Sequence, residues 1–280
     1  MISLLRLIKI HPLLWAVLGI GGMAGLFKEI LMLLFIILVH ELGHACTANY
    51  YGWRIRKIEL MPFGGMAEIE EYGNRPVKEE FFVTLNGPLQ HLWMICASMY
   101  LSGTPIWSET DHQLFLFHNI SILLFNLLPI LPLDGGKLLF TLQSYFLSFQ
   151  KSYHLTTILS LITLTIITFI AFIILPFHLN LVVIVCFLWL HQYLEWRQRH
   201  YHFLRFLLER QRLQLNNKEK KTIPVHPSIT VSQAVKEICR EKKVTFLLRT
   251  KKGEKYVNEK LVLQAFFDSQ QKALPLALLK

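Results

Sequence analysis

LVHELGHAC, residues 38–46, sets two histidines, a glutamate and a glycine directly after ILMLLFIILV, residues 30–39, which holds no polar side chain. Read together, the two stretches form an apolar helix long enough to enter a bilayer, with ionisable groups in its last turns. Such groups at membrane depth cost several kcal/mol unless they line a cavity or bind something. His40 and His44 are spaced i, i+4, so a helix stacks them on one face. At that spacing two imidazoles can share one zinc ion, with Glu41 beside the metal as a proton acceptor rather than a ligand. H-E-x-x-H alone is a short motif that also arises by chance; its setting inside an apolar run gives it weight.

The remainder of the chain agrees with a membrane setting. Of 280 residues, 53% are hydrophobic and 17% charged. Apolar runs close to the roughly 20 residues needed to cross a bilayer recur along the first two thirds. Six spans are expected, at roughly 11–27, 30–48, 80–101, 113–131, 154–175 and 178–194. The expected fold is therefore an α-helical polytopic membrane protein of about six transmembrane helices with a small C-terminal cytoplasmic α/β domain. Arg6 and Lys9 followed by LLWAVLGIGGMAGLF look like a secretory signal, but further spans follow and an uncleaved first span is expected.

A net charge of +10 raises nucleic acid as a partner, yet the basic residues sit at alternate ends of the apolar runs and in the C-terminal third. That distribution fits membrane topology and anionic lipid, so no direct nucleic-acid binding is expected. Arg54, Arg56, Lys57, Arg75 and Lys78 fall in the second connection, and the third, residues 102–112, has no lysine or arginine. The alternation places both termini in the cytoplasm. Cys46, Cys96, Cys186 and Cys239 show no paired spacing, which excludes a disulfide framework or a cysteine zinc site; Cys46 reads as packing.

Catalytic zinc takes three protein ligands and keeps one position open. The candidate for the third is Asp134 in NLLPILPLDGGK, residues 126–137, the sole carboxylate between Asp111 and Glu195. It lies between helix-breaking prolines and the flexible pair Gly135-Gly136, and a helix at membrane depth breaks only where it faces protein or a water-filled cavity. The plainer reading is an aspartate capping a new helix. Topology favours the ligand, because spans two and four both run inwards and place His44 and Asp134 at matching depth. IRKIELMPFGGMAEIE, residues 55–70, reads as a β-hairpin or a connecting loop around a Pro-Phe-Gly-Gly turn. As a hairpin it would offer a strand edge, with Phe63 and Gly64 at its turn, to an extended substrate.

These motifs together resemble the site-2 protease family of intramembrane zinc metalloproteases. The likeness rests on H-E-L-G-H in an early span, on Asn126, Pro129, Asp134 and Gly135 in a later one, and on LNGPLQH, residues 85–91, in the third. PFGG, NLLPILPLDGGKLLF and EWRQRHYHFLRFLLER extend it, over nearly the whole chain, to the sporulation proteases of endospore-forming bacilli within that family. The resemblance implies one Zn2+ per chain on His40, His44 and Asp134, Glu41 as catalytic base, and Asn86, Pro88 and Asn126 shaping a substrate groove. It implies regulated intramembrane proteolysis of a membrane-associated sigma factor precursor, pro-sigma-K, in the mother-cell membrane around the forespore. Inhibitory sporulation membrane proteins are the implied partners. The rival reading is an ion- or metal-coupled transporter using the same His/Glu/Asp cluster. Against it, no internal repeat is visible and the polar residues gather towards one face.

The expected domains are residues 1–195 as the transmembrane protease, 196–221 as a basic linker helix and 222–280 as the cytoplasmic module. VHPSITVSQAV, residues 225–235, resembles the start of a CBS (cystathionine β-synthase-like) domain. The rest departs from that pattern, so ATP or another nucleotide is implied no further than those residues reach. A lone CBS-like copy leaves an apolar face uncovered, and a homo-oligomer is the expected remedy. His11, His91, His112, His118, His154 and His178 read as interfacial side chains rather than ligands.

Overall fold

The computed structural model describes residues 7–61, 64–69, 74–174, 179–212, 219–250, 253–268 and 271–279. The chain divides into two compact units, Met1–Glu71 with Lys78–Pro129 and Leu133–Leu138, and Tyr72–Val77 with Ile130–Pro132 and Leu139–Lys280.

In the first unit, strand β1 (Ile8–Ile10) leads into helix α1 (Pro12–Met23) and then α2 (Phe27–Tyr50). No proline or glycine interrupts α2 before its polar end. It stops where Gly52 adopts φ 70°, a left-handed conformation that glycine reaches without a Cβ clash. Strands β2 (Ile55–Met61) and β3 (Gly64–Ile69) pair antiparallel as a hairpin, and β1 joins β2 in parallel to give the order β1-β2-β3. The three-residue β1 is too short to be read from the sequence; pairing across about fifty residues creates it.

Helix α3 (Val77–Leu101) has Glu79 and Glu80 in its first turn, where carboxylates favour the helix dipole, and contains Pro88. Helix α4 (Glu109–Asn126) opens on a capping box between Ser108 and Asp111. The Lys28 ammonium reaches Asp111 at 2.5 Å, and His118 lies 3.2 Å from Glu29. After the proline break, α5 (Asp134–Phe146) begins at Asp134 itself.

Among the described residues, two helices are long and apolar enough to cross a membrane, Phe27–Tyr50 and Phe149–Ile174. The other four expected spans fall on the 12-residue Pro12–Met23 and on Val77–Leu101, Glu109–Asn126 and Leu179–Arg212, which bury polar groups such as His91, Asn119 and Gln192. Helix α6 (Phe149–Ile174) is inside-out relative to a water-soluble helix. Ser152, Thr156 and Ser160, at i, i+4 and i+8, are buried, while Ile162, Ile166, Phe169 and Ile173 are exposed. Small polar residues inward and large apolar ones outward is the packing of a helix solvated by lipid.

The second unit joins α6, α7 (Leu179–Arg212) and the tail. Helix α7 runs unbroken from an apolar start into EWRQRHYHFLRFLLER. The tail places β4 (Lys220–Val225) parallel to β5 (Lys243–Thr250) and β5 antiparallel to β6 (Gly253–Asn258). The short α8 (Val231–Ala234) and α9 (Glu259–Phe267) cover this sheet. Its core includes Val231, Ile238, Phe246, Leu248 and Val262, and is completed by Phe206 and Leu207 of α7 and Phe149 of α6. Phe149 and Phe206 stack with centroids 4.2 Å apart. The apolar face on which the expected homo-oligomer rested is thus covered by this chain's own helices. The three-stranded sheet does not by itself establish a CBS domain, and nothing in it supports a nucleotide.

Candidate metal centre

The end of α2 carries His40, Glu41 and His44, all buried, and the start of α5 brings buried Asp134 to them. Asp134 Oδ2 lies 2.9 Å from His40 Nε2 and 3.0 Å from His44 Nε2, and the two nitrogens are 3.1 Å apart. The other carboxylate oxygen, Oδ1, accepts from Lys137 Nζ at 3.2 Å.

The partners of the outer ring nitrogens determine what this triangle is. His44 Nδ1 lies 2.8 Å from the carbonyl of Val83, which can only accept. Nδ1 therefore carries the hydrogen, and in the neutral ring Nε2 presents a lone pair to the triangle. His40 Nδ1 meets His91 Nε2 at 3.0 Å, and His91 Nδ1 meets Asn119 Oδ1 at 2.7 Å. With that oxygen accepting, His91 donates to Asn119 and His40 donates to His91, which leaves His40 Nε2 unprotonated as well. Three acceptors then converge with no hydrogen between them. Only a cation, whether a metal ion or a retained proton, makes that arrangement tolerable. Tetrahedral zinc with bonds of about 2.0–2.2 Å spaces its ligands about 3.3–3.6 Å apart, a few tenths of an ångström wider than the triangle seen. His40, His44 and Asp134 are the one group among the described residues whose donor atoms could hold a metal ion.

Three motif glycines make the centre possible by closeness rather than flexibility. A Cβ on Gly87 would come 2.2 Å from His44 Nε2, and one on Gly43 would come 2.7 Å from the Asn86 carbonyl oxygen. Helices α2 and α3 thus interlock through a glycine on each. A Cβ on Gly135 would meet the Leu127 carbonyl oxygen at 2.2 Å. Gly135, expected to be flexible, is used here for close approach: it lets the start of α5 fold tightly against the end of α4, which holds Asp134 in place. Gly65 of β3 serves the same purpose at Glu41, whose Cγ would lie 2.3 Å from an added Cβ. The hairpin backbone therefore passes directly over the glutamate.

The remaining sequence candidates divide. Asn86 donates to the Gly43 carbonyl at 3.3 Å and to the Thr47 hydroxyl, which fastens α3 to α2. Pro88 removes the donor for the Thr84 carbonyl, next to the Val83 carbonyl that holds His44. Asn126 donates to Ile122 of its own helix at 3.1 Å. Gly64 opens β3, and Phe63 lies outside the described residues. His91, read from the sequence as an interfacial side chain, and Asn119, not singled out there, are both fully buried at the back of His40. The signal was present: His91 follows Gly87 by four residues and so shares its helix face. Cys46, expected to pack, is exposed.

A family model described as peptidase family M50 matches residues 28–110. The chain is 41% identical over 270 residues to stage IV sporulation protein FB of Bacillus subtilis, covering 95% of this chain and 93% of that one. It is 35% identical over 125 residues to a putative zinc metalloprotease of Synechocystis sp., covering 43% of this chain and 32% of the relative. Among solved structures it is similar to the site-2 protease from Methanocaldococcus jannaschii, with 24% identity, a TM-score of 0.49, and coverage of 67% of this chain and 89% of that one. An identity of 41% sustained along nearly the whole of both chains places this protein: it belongs to peptidase family M50, the zinc metalloproteases of the site-2 protease type.

Proposed function

We propose that this protease cuts a membrane-associated substrate near the cytoplasmic face, with His40, His44 and Asp134 holding one zinc ion and Glu41 acting as the base. The convergence of His40 Nε2, His44 Nε2 and one Asp134 oxygen at 2.9–3.1 Å carries the reading. Zinc at such a site supplies a Lewis acid that makes water nucleophilic at neutral pH. Glu41 takes a proton from the attacking water as the new C–O bond forms. It returns that proton to the amide nitrogen as the C–N bond breaks, so the carboxylate is regenerated. Burial of Glu41 beneath the Gly65 backbone keeps bulk water from competing for that proton.

A helical substrate shields its peptide bonds with its own hydrogen bonds and must unwind before attack. Strand β3 is an edge of the β1-β2-β3 sheet, and its backbone runs past Glu41. An extended segment adding to that edge would bring its carbonyl to the catalytic carboxylate. Asn86, Pro88 and Asn126 are proposed to shape the substrate groove from within, with Phe63 and Gly64 at the hairpin turn as the substrate contacts. The chain crosses the bilayer six times with both termini cytoplasmic, a topology supported by the lysine and arginine alternation.

The relative named for sporulation stage IV supports a more specific reading. The substrate is the membrane-associated precursor of a sporulation sigma factor, pro-sigma-K, processed in the mother-cell membrane under the restraint of inhibitory membrane proteins. No observation favours the carrier reading, and the relatives are named as proteases. Co-expression with that precursor tests the proposal. A shorter product is expected with the native chain and not with Glu41→Gln; equal processing by both would remove Glu41 from the mechanism.

A further inference from the structure

We infer that His91 and Asn119 are positioning residues that set the tautomer of His40 and so decide whether the site can hold its metal. The inference rests on the zinc reading above. His91 and Asn119 are both fully buried, on α3 and α4, and neither is among the three residues of the metal centre. They form one line: Asn119 Oδ1 to His91 Nδ1 at 2.7 Å, then His91 Nε2 to His40 Nδ1 at 3.0 Å. The rings of His40 and His91 meet edge to face, with centroids 5.2 Å apart.

A chain of two neutral imidazoles has two states, and its last member selects between them. With an acceptor at the end, every hydrogen points away from the metal centre and His40 Nε2 is bare. With a donor at the end, every hydrogen points the other way. His40 Nε2 would then carry a proton aimed at His44 and Asp134, where a metal must sit. Asn119 turned with its oxygen towards His91 enforces the first state. The contrast with His44 is instructive, since its tautomer is set by one backbone carbonyl that no mutation changes directly. His40 depends on two side chains instead. Groups behind a metal-binding histidine are typically worth about 10–100-fold in metal affinity.

The test uses full-length protein in mild detergent, with zinc affinity measured by competition against a chromophoric chelator. Native protein is expected to hold one zinc per chain. His91→Leu is expected to weaken zinc about 10–100-fold. His91→Gln, whose amide oxygen can accept from His40, is expected to recover most of that loss. At the far end, Asn119→Asp and Asn119→Leu are close in volume, but the aspartate only accepts. Asn119→Asp is expected to bind like the native protein and Asn119→Leu to bind more weakly. Native-like affinity in His91→Leu would overturn the inference, as would equal losses in the leucine and glutamine variants or in the two position-119 variants. A native chain that takes up no zinc overturns the metal reading itself, and this inference with it.

Discussion

Two buried polar clusters, one in each compact unit, are built on opposite plans. At the end of α2, His40, His44 and Asp134 turn three acceptors towards one another. In the second unit, Arg210 and Glu259 are buried just as deeply, but every contact pairs a donor with an acceptor. Arg210 Nε donates to Glu259 at 2.6 Å, Nη1 to the Arg240 carbonyl at 2.7 Å and Nη2 to the Lys242 carbonyl at 2.6 Å. The other Glu259 oxygen accepts from the Val244 amide at 2.8 Å. The Arg210 cluster is complete without outside help and serves to fasten the tail to the end of α7. The histidine cluster is complete only with a cation, which supports the proposal that it is the metal centre. Burial alone does not separate the two; the balance of donors and acceptors does.

Glu41 gives the largest expected effect, because it acts on the chemistry and not on the cation. Glu41→Gln keeps the shape and the three acceptors, so zinc content is expected to match the native protein. Turnover of a membrane substrate is expected to fall by about 10²–10⁴-fold, the usual worth of a positioned base. Zinc loss in that variant would move Glu41 from base to ligand.

The complete cluster is broken by removing either half. Glu259→Ala leaves the Arg210 charge buried and unpaired, at a cost of about 3–5 kcal/mol. Chemical denaturation in mild detergent, read by limited proteolysis of the tail, is expected to show that loss with zinc binding intact. A loss under about 1 kcal/mol would mean that solvent reaches the pair after all.

A third variant sharpens the comparison through packing. Gly87→Ala drives a methyl group to 2.2 Å from the His44 ring, so the ring or the helix must shift. An expected cost of about 1–3 kcal/mol falls on zinc affinity in the chelator competition, since displaced His44 loses the Val83 carbonyl. Unchanged affinity would show that α2 and α3 can separate freely at this point.

The smallest effect is the most telling for the contrast. In metal-free protein the cluster is held by a retained proton, so Asp134→Leu exchanges that shared proton for apolar contact, and stability is expected to change by no more than about 1 kcal/mol, in either direction. The same denaturation assay that registers Glu259→Ala serves here. A large destabilisation would mean that the histidine cluster is self-sufficient like the other one.

The sequence made the two ends of this comparison unequally legible. His40, Glu41 and His44 stood out because polar groups in an apolar helix are costly. Asp134 stood out because a lone carboxylate sat in a proline break. The alternation around Pro-Phe-Gly-Gly left a hairpin and a connecting loop equally open, and β1 did not show at all, since three residues gain strand structure only from a distant partner. Gly87, Gly43 and Gly135 were visible as letters and unreadable as contacts, because what a missing Cβ admits depends on another helix. His91 looked like any histidine near a span end until α2 and α4 were placed on either side of it. Arg210 and Glu259 were invisible as a pair, 49 residues apart, with nothing periodic to join them. The tail's apolar face suggested a second copy because no sequence pattern says that Phe149, Phe206 and Leu207 return to cover it.

X-ray absorption at the zinc edge, on full-length protein loaded with zinc in detergent, tests the central claim most directly. A four-coordinate shell of light atoms at about 2.0–2.2 Å is expected, with the scattering signature of two imidazoles and one carboxylate, kept in Glu41→Gln and reduced by one imidazole in His44→Ala. A sulfur at about 2.3 Å, a third imidazole, or a shell indifferent to His44 would contradict it.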